Sequence, residues 1–392
     1  MKDLHVLHVS TTISRGGAEN HLFDLVRHQR RRDMQVTVAY LKGDGYWTSA
    51  YRDLGVSVYD LRLRRYGDPA PCWRLRRLLR HAAFDLVHAH MPPAELYCRL
   101  ALLGISARRL PLLISKHNEE PFYKGPGQRL LGHWVGRRAA AVIAISAAVH
   151  RYIAGPTLGI PAPKVRTIHY GIDAQPFRAA AREAGLALRR QWGVPEQALL
   201  VGSAGRLVPQ KSPETLLEGF ALFRQQSRLD PWLAIVGVGD LEKSLRRQAE
   251  ALGIAERVVW AGFHHNMPAV MRAFDVFALT SIYEGFGLVL AEAMAAGLAV
   301  VATRAGAIPE IVRDGVTGFI IRPREPQDLA RALDKLSDGA LRTRLGDAGH
   351  GRVLQEFTLE RMYLETDRLY HEIMGCRPAT RAEVPCLETS LT

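Results

Sequence analysis

The chain has 392 residues, of which 47% are hydrophobic, and a formal net charge of +13. This length exceeds that of an ordinary single domain and predicts two. No apolar run reaches the roughly 18–20 residues that span a bilayer, which argues against an integral membrane protein. Met1–Asp3 leads directly into a strand-like run, so we expect no signal peptide.

The four cysteines, Cys72, Cys98, Cys376 and Cys386, show no CxxC spacing and no neighbouring histidine cluster. This pattern argues against a metal site or a disulfide framework, and it fits a reducing compartment. We therefore expect a cytoplasmic protein.

The positive charge is confined to the first half of the chain. Residues 1–175 hold 26 Lys/Arg against 13 Asp/Glu, whereas residues 176–392 hold 26 of each. A basic half attracts nucleic acid, an anionic membrane or a phosphorylated ligand. No nucleic-acid-binding module is recognisable, so we expect no nucleic-acid partner. A membrane surface or an anionic substrate is favoured, beside the simpler alternative of a solubilising surface.

Strand-like and helix-like stretches alternate along the chain. In the first half the apolar, β-branched runs lie at 4–10, 35–41, 56–61, 84–90, 110–117, 140–146 and 164–173. In the second half they lie at 198–205, 232–237, 257–263, 275–281, 298–303 and 318–321. Such alternation predicts α/β architecture with two parallel sheets. We expect two Rossmann-like domains with a ligand between them, at the carboxyl ends of the strands.

The predicted boundaries follow from the break between the two series. Residues 1–175 form the first domain and residues 176–356 the second. Residues 357–374 have helical apolar spacing and could return to pack on the first domain. Residues 375–392 lose this periodicity, and we expect a disordered tail.

The segment SRGGAEN (14–20) lies between the first strand and the first helix. Gly16 and Gly17 allow close approach of the backbone to a ligand, and the helix N-terminus offers free N–H groups to an anion. The segment does not match GxGxxG, so a dinucleotide cofactor is not indicated. A purely structural role for the two glycines is an equal alternative.

The segment AGRLVPQKSPETLLEGF (204–220) also follows a strand and opens a helix. Arg206 and Lys211 lie in its loop, where two cations can bracket a diphosphate. The alternative is that both are solvated surface charges.

The segment SIYEGFGLVLAEAMAAG (281–297) carries the most specific pattern. Glu284 lies in a glycine-containing loop, Gly287 opens a helix, and Glu292 lies inside that helix among apolar residues. An unpaired buried carboxylate is costly, so Glu292 needs a partner, and a pair of sugar or ribose hydroxyls would serve. The alternative is a salt bridge to a neighbouring arginine.

In these segments the chain resembles the retaining glycosyltransferases of family 4, which have the GT-B architecture of two Rossmann-like domains facing a donor-binding cleft. Glu284 and Glu292, with seven residues between them, match the EX7E signature of that family. Other similar segments cover nearly the whole chain: GGAE (16–19), FDLVHAH (84–90), SKH (115–117), IAIS (143–146), HYGID (169–173), GRLVPQK (205–211), IVGVGDLE (235–242) and AGAIPEIVRDGVTGFII (305–321).

The resemblance implies a role for each matching residue. Arg206 and Lys211 would bind the donor diphosphate, and Glu292 would hold the ribose hydroxyls. Glu284 would hold the transferred sugar, together with the backbone of Gly285, Phe286 and Gly287.

Four further residues receive roles from the same resemblance. The backbone of Leu288 would support the phosphates. Gly16 and Gly17 would let the first domain, which is the acceptor side, close on the diphosphate. His117 would lie near the sugar and the acceptor; taken alone, a histidine at a strand end is more often structural.

The chain departs from the family pattern at two places. Tyr170, preceded by His169, stands where an asparagine is frequent, and HHN (264–266) stands where an acidic residue is frequent. His88 and His90 form an HxH pair, but without carboxylate partners we interpret them as packing or acceptor contacts. No DxD occurs, so we expect neither a metal nor a cofactor beyond the nucleotide-sugar co-substrate.

The resemblance implies a hexosyltransferase that uses a nucleoside-diphosphate sugar, with uridine as the expected base. The acceptor would be a saccharide or a lipid-linked molecule of cell-surface polysaccharide, lipopolysaccharide or glycolipid synthesis. Two alternatives stay open: a non-catalytic nucleotide-sugar-binding subunit, and an epimerase or phosphorylase of the same fold.

Two basic amphipathic stretches in the first half, residues 72–80 and 128–138, have the pattern of interfacial helices. In one, Leu75, Leu78 and Leu79 share a face; in the other, Leu130 pairs with Trp134 at i, i+4. The hypothesis is peripheral attachment to the inner face of the cytoplasmic membrane. The equal alternative is that both faces pack on the sheet.

Overall fold

The computed structural model of the chain describes residues 4–118, 125–156 and 158–375. Apart from Gly375, the predicted tail 375–392 lies outside the described residues. Met1–Asp3, Cys376 and Cys386 also lie outside them.

The first half forms a sheet of seven parallel strands in the order β3-β2-β1-β4-β5-β6-β7. Its strands are β1 (His5–Ser10), β2 (Gln35–Tyr40), β3 (Ser57–Asp60), β4 (Leu86–His90), β5 (Leu112–Lys116), β6 (Ala141–Ala144) and β7 (Val165–Thr167). Each coincides with a predicted run. The central strands β1, β4 and β5 are almost wholly buried, as expected for a parallel sheet that is covered on both faces.

Helices alternate with these strands. They are α1 (Gly17–Arg31), α2 (Thr48–Asp53), α3 (Ala70–His81), α4 (Ala94–Ala101), α5 (Pro126–Arg138) and α6 (Ala147–Ala154). Helix α1 shows why they dock: Leu22, Leu25 and Val26 recur at helical spacing and are buried, while its other faces carry charge.

The second half repeats the plan with six parallel strands in the order β10-β9-β8-β11-β12-β13. They are β8 (Leu200–Ala204), β9 (Trp232–Val236), β10 (Val258–Gly262), β11 (Val276–Leu279), β12 (Ala299–Thr303) and β13 (Phe319–Ile321). The helices are α7 (Gln175–Ala179), α8 (Arg182–Gln191), α9 (Pro213–Gln226), α10 (Glu242–Ala251), α11 (Met267–Ala273), α12 (Leu288–Ala295), α13 (Ile308–Ile311), α14 (Pro326–Lys335), α15 (Gly339–Glu356) and α16 (Leu359–Met374). Two Rossmann-like domains are confirmed.

The strand order of each sheet reverses at one point, between β1 and β4 in the first sheet and between β8 and β11 in the second. The loops that follow such strands diverge and leave a crevice, which is where doubly wound α/β proteins bind ligands. The segments that contain Gly16, Arg206 and Glu284 follow β1, β8 and β11, respectively.

The last helix, α16, lies against α1 of the first domain. The Tyr363 hydroxyl donates to the Asp24 carbonyl at 3.1 Å, and Gln29 Nε2 donates to the Tyr370 hydroxyl at 3.2 Å. The change of sheet falls between β7 and β8. The boundary at residue 175 itself stays a prediction.

The apolar face predicted on residues 72–80 packs inward. Leu75 is fully buried, and Leu78 and Leu79 pack partly against the core, which favours the packing alternative for that face. Each of the two basic stretches also has a large apolar side chain exposed to solvent: Trp73 of 72–80 is 63% exposed and Leu130 of 128–138 is 74% exposed. Within the described ranges, no helix has both the length and the apolarity to cross a bilayer.

Candidate active site

The N-termini of two helices, one from each domain, face each other across the cleft. Helix α1 begins at Gly17 and helix α12 begins at Leu288. A Cβ atom added to Gly17 would lie 3.2 Å from Leu288 Cδ1. Helix N-termini carry unpaired N–H groups and a partial positive charge, so their convergence favours an anion. The structure thus brings Gly17 and Leu288 together, as the predicted diphosphate site requires.

The loop before α12 meets the end of β5. A Cβ atom on Gly285 would lie 2.6 Å from the His117 carbonyl oxygen. Gly287 caps α12 with a φ of 96°, a left-handed conformation that favours glycine. The glycines of this loop therefore allow both the close approach of His117 and the turn that points the helix N-terminus into the cleft.

Lys211 and Glu284 form an ion pair inside the cleft. Lys211 Nζ lies 2.5 Å from Glu284 Oε1, and the Ser281 hydroxyl donates to the same oxygen at 2.6 Å. The two side chains are 20% and 8% exposed. The alternative of a solvated surface charge is therefore wrong for Lys211. Its charge is balanced by the carboxylate predicted to hold the sugar.

Arg206 differs from Lys211. It is exposed, and the described parts of the chain offer it no salt bridge. It lines a small cavity at the end of β8 together with Gly205 and Lys211. A guanidinium without a protein partner at this position is available to a phosphate.

Glu292 lies on α12 and is partly buried. Burial raises the pKa of its carboxyl to about 7. Among the described residues nothing donates a hydrogen bond to this carboxylate, and the alternative of a salt bridge to an arginine is not found there. A half-desolvated acceptor without a protein donor fits a ligand that supplies hydroxyl groups.

His117, at the end of β5, is 9% exposed, and its Nδ1 is hydrogen-bonded to the Tyr170 hydroxyl. Burial, with a contribution from Lys116, lowers the pKa of His117 to about 3, so the ring is neutral. Tyr170 also lies against Phe286, with ring centroids 5.6 Å apart. Tyr170, which departs from the family pattern, thus contacts His117 of the first domain and Phe286 of the second, and both belong to the predicted sugar site.

Glu310 on α13 makes an interdomain contact that sequence reasoning missed. It accepts hydrogen bonds from the backbone N–H groups of Ala147 and Ala148, at 2.7 and 2.8 Å, and from His169 Nε2 at 3.0 Å. Although burial opposes ionisation, these bonds hold the pKa of Glu310 below its ordinary value. A carboxylate in the apolar segment 305–312 was the available signal for this interdomain contact.

Three buried histidines lie close enough to share a ligand. The candidate ligand atoms of His8, His88 and His90 all lie within 4.8 Å of one another. Both ring nitrogens of His8 and His88 are within hydrogen-bonding distance of neighbouring side chains. The predicted packing role of His88 and His90 is consistent with these contacts.

Comparison with known proteins identifies related glycosyltransferases. Residues 15–176 match the family model for glycosyltransferase family 4, and residues 186–352 match the model for group 1 glycosyl transferases. The D-inositol 3-phosphate glycosyltransferase of Streptomyces bingchenggensis is 30% identical over 74% of this chain and 67% of its own. The lipopolysaccharide core biosynthesis glycosyltransferase LpsE of Rhizobium meliloti is 32% identical over 48% of this chain and 54% of its own.

A solved structure extends the likeness to both domains. The Anabaena HepE protein in complex with UDP and glucose superposes with a TM-score of 0.83 at 26% identity, covering 94% of this chain and all of that one. The chain spans about half the length of several other curated relatives, between 43% and 56%. The two family models and the full-length likeness establish the family: the chain belongs to the family 4 glycosyltransferases of GT-B fold.

Proposed function

We propose that the chain transfers a hexosyl unit from a nucleoside-diphosphate sugar to a saccharide or lipid-linked acceptor, with retention of configuration. The observation that carries the proposal is the meeting of two helix N-termini, at Gly17 and Leu288, beside Arg206, Lys211 and the carboxylates Glu284 and Glu292. The UDP bound by HepE supports a uridine donor. The function named for LpsE supports a role in cell-surface polysaccharide or glycolipid synthesis.

In the proposed reaction the bond between the anomeric carbon and the diphosphate oxygen breaks, and the acceptor oxygen bonds to the same carbon. For retention, the acceptor attacks on the face that the diphosphate leaves, and its proton passes to the departing diphosphate oxygen. The contribution of the protein is electrostatic: Arg206, Lys211 and the two helix N-termini stabilise the charge that develops on the leaving group.

The sugar and the ribose would be held by the two carboxylates. Glu284 and the backbone of Gly285, Phe286 and Gly287 would bind the hexosyl hydroxyls, and Glu292 would accept from the ribose. His117 would lie beside the hexose, where the 284–287 loop meets the end of β5. Because the cations and helix ends supply the positive charge, we propose that transfer needs no metal and survives dialysis against EDTA.

The central test separates catalysis from binding alone. Lys211→Ala and Glu292→Ala should each abolish transfer from UDP-glucose while far-UV circular dichroism stays that of the wild type. Glu250→Gln, an exposed carboxylate on α10, is the matched control and should turn over normally. Wild-type turnover in either site variant would refute the assignment. Wild-type protein that binds UDP-glucose yet releases no UDP with any acceptor would favour the non-catalytic alternative.

We also propose that the first domain attaches peripherally to an anionic membrane, where a lipid-linked acceptor would reside. The positive charge of residues 1–175 and the exposed Trp73 and Leu130 support this. Vesicles rich in phosphatidylglycerol should sediment the protein at low salt. Leu130→Glu should weaken this, and Leu229→Glu, on the neutral half, should not. Equal recovery with neutral vesicles, or no effect of salt, would contradict the proposal.

A further inference from the structure

A set of buried polar side chains links His117 to the C-terminal helix. His8 on β1 and His88 on β4 are fully buried, and His90 on β4 is 1% exposed. Burial lowers the pKa of His8 to about 4 and the pKa values of His88 and His90 well below the ordinary value. The rings are therefore neutral at pH 7, and each has one N–H donor and one acceptor nitrogen.

The first arm of contacts runs from Gln29 to the active site. His8 Nε2 lies 2.9 Å from Gln29 Oε1, and His8 Nδ1 lies 3.0 Å from His90 Nε2. An amide oxygen only accepts, so His8 donates through Nε2 and its Nδ1 must accept from His90. His90 Nδ1 must then accept from His117 Nε2, at 3.4 Å, which leaves His117 Nδ1 to accept from the Tyr170 hydroxyl.

The second arm runs from the same glutamine to α16 and back to the sheet. Gln29 Nε2 donates to the Tyr370 hydroxyl at 3.2 Å. That hydroxyl lies 2.7 Å from His88 Nδ1, and His88 Nε2 lies 2.7 Å from the Ser115 hydroxyl. Having accepted from Gln29, Tyr370 donates to His88, and His88 donates to Ser115.

In each arm, every hydrogen bond therefore has a fixed donor and a fixed acceptor, and both arms begin at the side-chain amide of Gln29. A neutral imidazole carries one proton, so a nitrogen that donates a hydrogen bond leaves the other nitrogen as an acceptor. Rotating the amide by half a turn would exchange its donor and acceptor, and every bond in both arms would have to reverse. The position of the proton on His117 thus depends on Gln29, a side chain three contacts away.

We propose that Gln29, whose amide donates to Tyr370, is a positioning residue that, through His8 and His90, holds the proton of His117 on Nε2. This inference rests on the proposed function only in treating His117 as a residue of the sugar site. In the proposed reaction, the tautomer of His117 decides which ring nitrogen can donate to a hydroxyl and which can accept.

The tautomers can be measured without any activity. In protein labelled with 15N-histidine, two-bond 1H–15N spectra identify the protonated nitrogen of each neutral ring. The expected result for the wild type is Nε2–H at His8, His88, His90 and His117. Nδ1–H at His117 would overturn the proposal, whether or not the protein proves to be a glycosyltransferase.

Gln29→Glu supplies the sharper test. A carboxylate still accepts from His8, so His8, His90 and His117 should keep Nε2–H. It cannot donate to Tyr370, which must donate to it instead, so His88 should switch to Nδ1–H. Gln29→Leu removes the junction, and His117 should become a mixture of tautomers with kcat reduced about tenfold and the donor KM unchanged. An unchanged His88 in Gln29→Glu would overturn the proposal.

Two variants on α16 separate the network from simple helix docking. Tyr370→Phe deprives His88 Nδ1 of its donor and should shift the His88 resonances. Tyr363→Phe removes a hydroxyl that donates to the Asp24 carbonyl at 3.1 Å, outside the network, and should leave all four rings unchanged. Equal effects of both variants would assign the changes to helix docking and overturn the proposal.

A metal ion would compete for the same nitrogens. The network as described occupies the nitrogens of His8, His88 and His90 that a metal would need, so Zn²⁺ added to the protein should not move these resonances. Stoichiometric binding of Zn²⁺ with loss of the His8 and His90 N–H signals would replace the network by a metal site and overturn the proposal.

Discussion

At the scale of single residues, the ion pair between Lys211 and Glu284 joins two predicted roles. Lys211 would bind the diphosphate and Glu284 the hexose, yet without donor they neutralise each other at 2.5 Å. A ligand that carries only the diphosphate must attract Lys211 away from Glu284. A ligand that also offers sugar hydroxyls gives Glu284 new partners. The pair is therefore expected to disfavour UDP relative to the complete donor.

Glu284→Gln should tighten UDP binding while it abolishes sugar transfer. Removal of the carboxylate charge frees Lys211 for the phosphates, and loss of a hydrogen bond to a charged group is worth about 1.5 kcal/mol, or about tenfold in Kd. Isothermal titration with UDP would measure the change, with Glu250→Gln as control. A UDP affinity equal to that of the wild type would show that the pair does not restrain Lys211.

Glu292 predicts a pH-dependent stability of the donor-free protein. Its pKa is raised from 4.5 to about 7 by burial, so between these values the folded protein keeps a proton that the unfolded chain releases. The stability contribution of this carboxyl therefore decreases as the pH rises through that window.

Glu292→Gln should consequently be more stable than the wild type above pH 7 and equal to it near pH 4.5. Because the carboxyl is only partly buried, the gain at pH 8 should be about 2 kcal/mol or less, which is a few degrees in Tm. Thermal melts of both proteins across this range would measure it. A Tm difference that does not vary with pH would contradict the expectation.

The sequence predicted the candidate residues in single loops better than the contacts between residues that are far apart in the chain. Arg206, Lys211 and Glu284 lie in loops that follow strands, and Glu292 lies in the helix after the last of these loops, so their spacing along the chain is local and recognisable. The partners of Glu310 and His8 lie up to 163 and 82 residues away. Such contacts depend on how domains and strands pack together, which local sequence patterns do not predict.

At the scale of elements, the strands were predictable because buried parallel strands are short, apolar and separated by helices. All thirteen strands within the described residues coincide with predicted runs. The packing of the two basic amphipathic helices was less predictable, since an apolar face with a basic rim is the same whether it meets lipid or a sheet. Leu75 shows the outcome for α3, where the central leucine is fully buried in the protein core.

The loop between β11 and α12 approaches β5 so closely that Gly285 admits no side chain. Gly285→Ala would place a methyl group 2.6 Å from the His117 carbonyl, and the two domains would have to separate there. Transfer should fall about tenfold or more, as misplacement of reacting groups by about 1 Å costs up to ~100-fold. Gly351→Ala on α15, where a Cβ meets nothing within 4 Å, is the matched control. Normal kinetics in Gly285→Ala would mean that catalysis does not require this contact.

At the scale of the whole molecule, helix α16 and Glu310 provide two of the contacts that join the domains. Helix α16 leaves the second domain and packs on α1, where Asp367 lies 3.4 Å from both His28 and Arg32. Glu310 reaches the N-terminus of α6 and His169. Helix α16 stays attached to the second domain through the chain, whereas the hydrogen bonds of Glu310 can break and re-form. The Glu310 contact is therefore the better candidate for controlling closure of the two domains.

Glu310→Gln tests that contact. The amide oxygen can replace one carboxylate acceptor, but the charge that the α6 N-terminus and His169 favour is lost. The closed arrangement should lose about 2 kcal/mol, with a Tm lower by a few degrees at pH 7 and a larger radius of gyration by small-angle scattering.

The pKa of Glu310 lies below its ordinary value, so this stabilisation exists above the unfolded-state pKa and disappears as the pH falls through the folded-state pKa. The deficit of the variant should therefore shrink toward acid pH. Glu183→Gln, which breaks an exposed pair with Arg190, should change neither quantity. A Glu310→Gln protein as compact and stable as the wild type would place the control of closure in α16 instead.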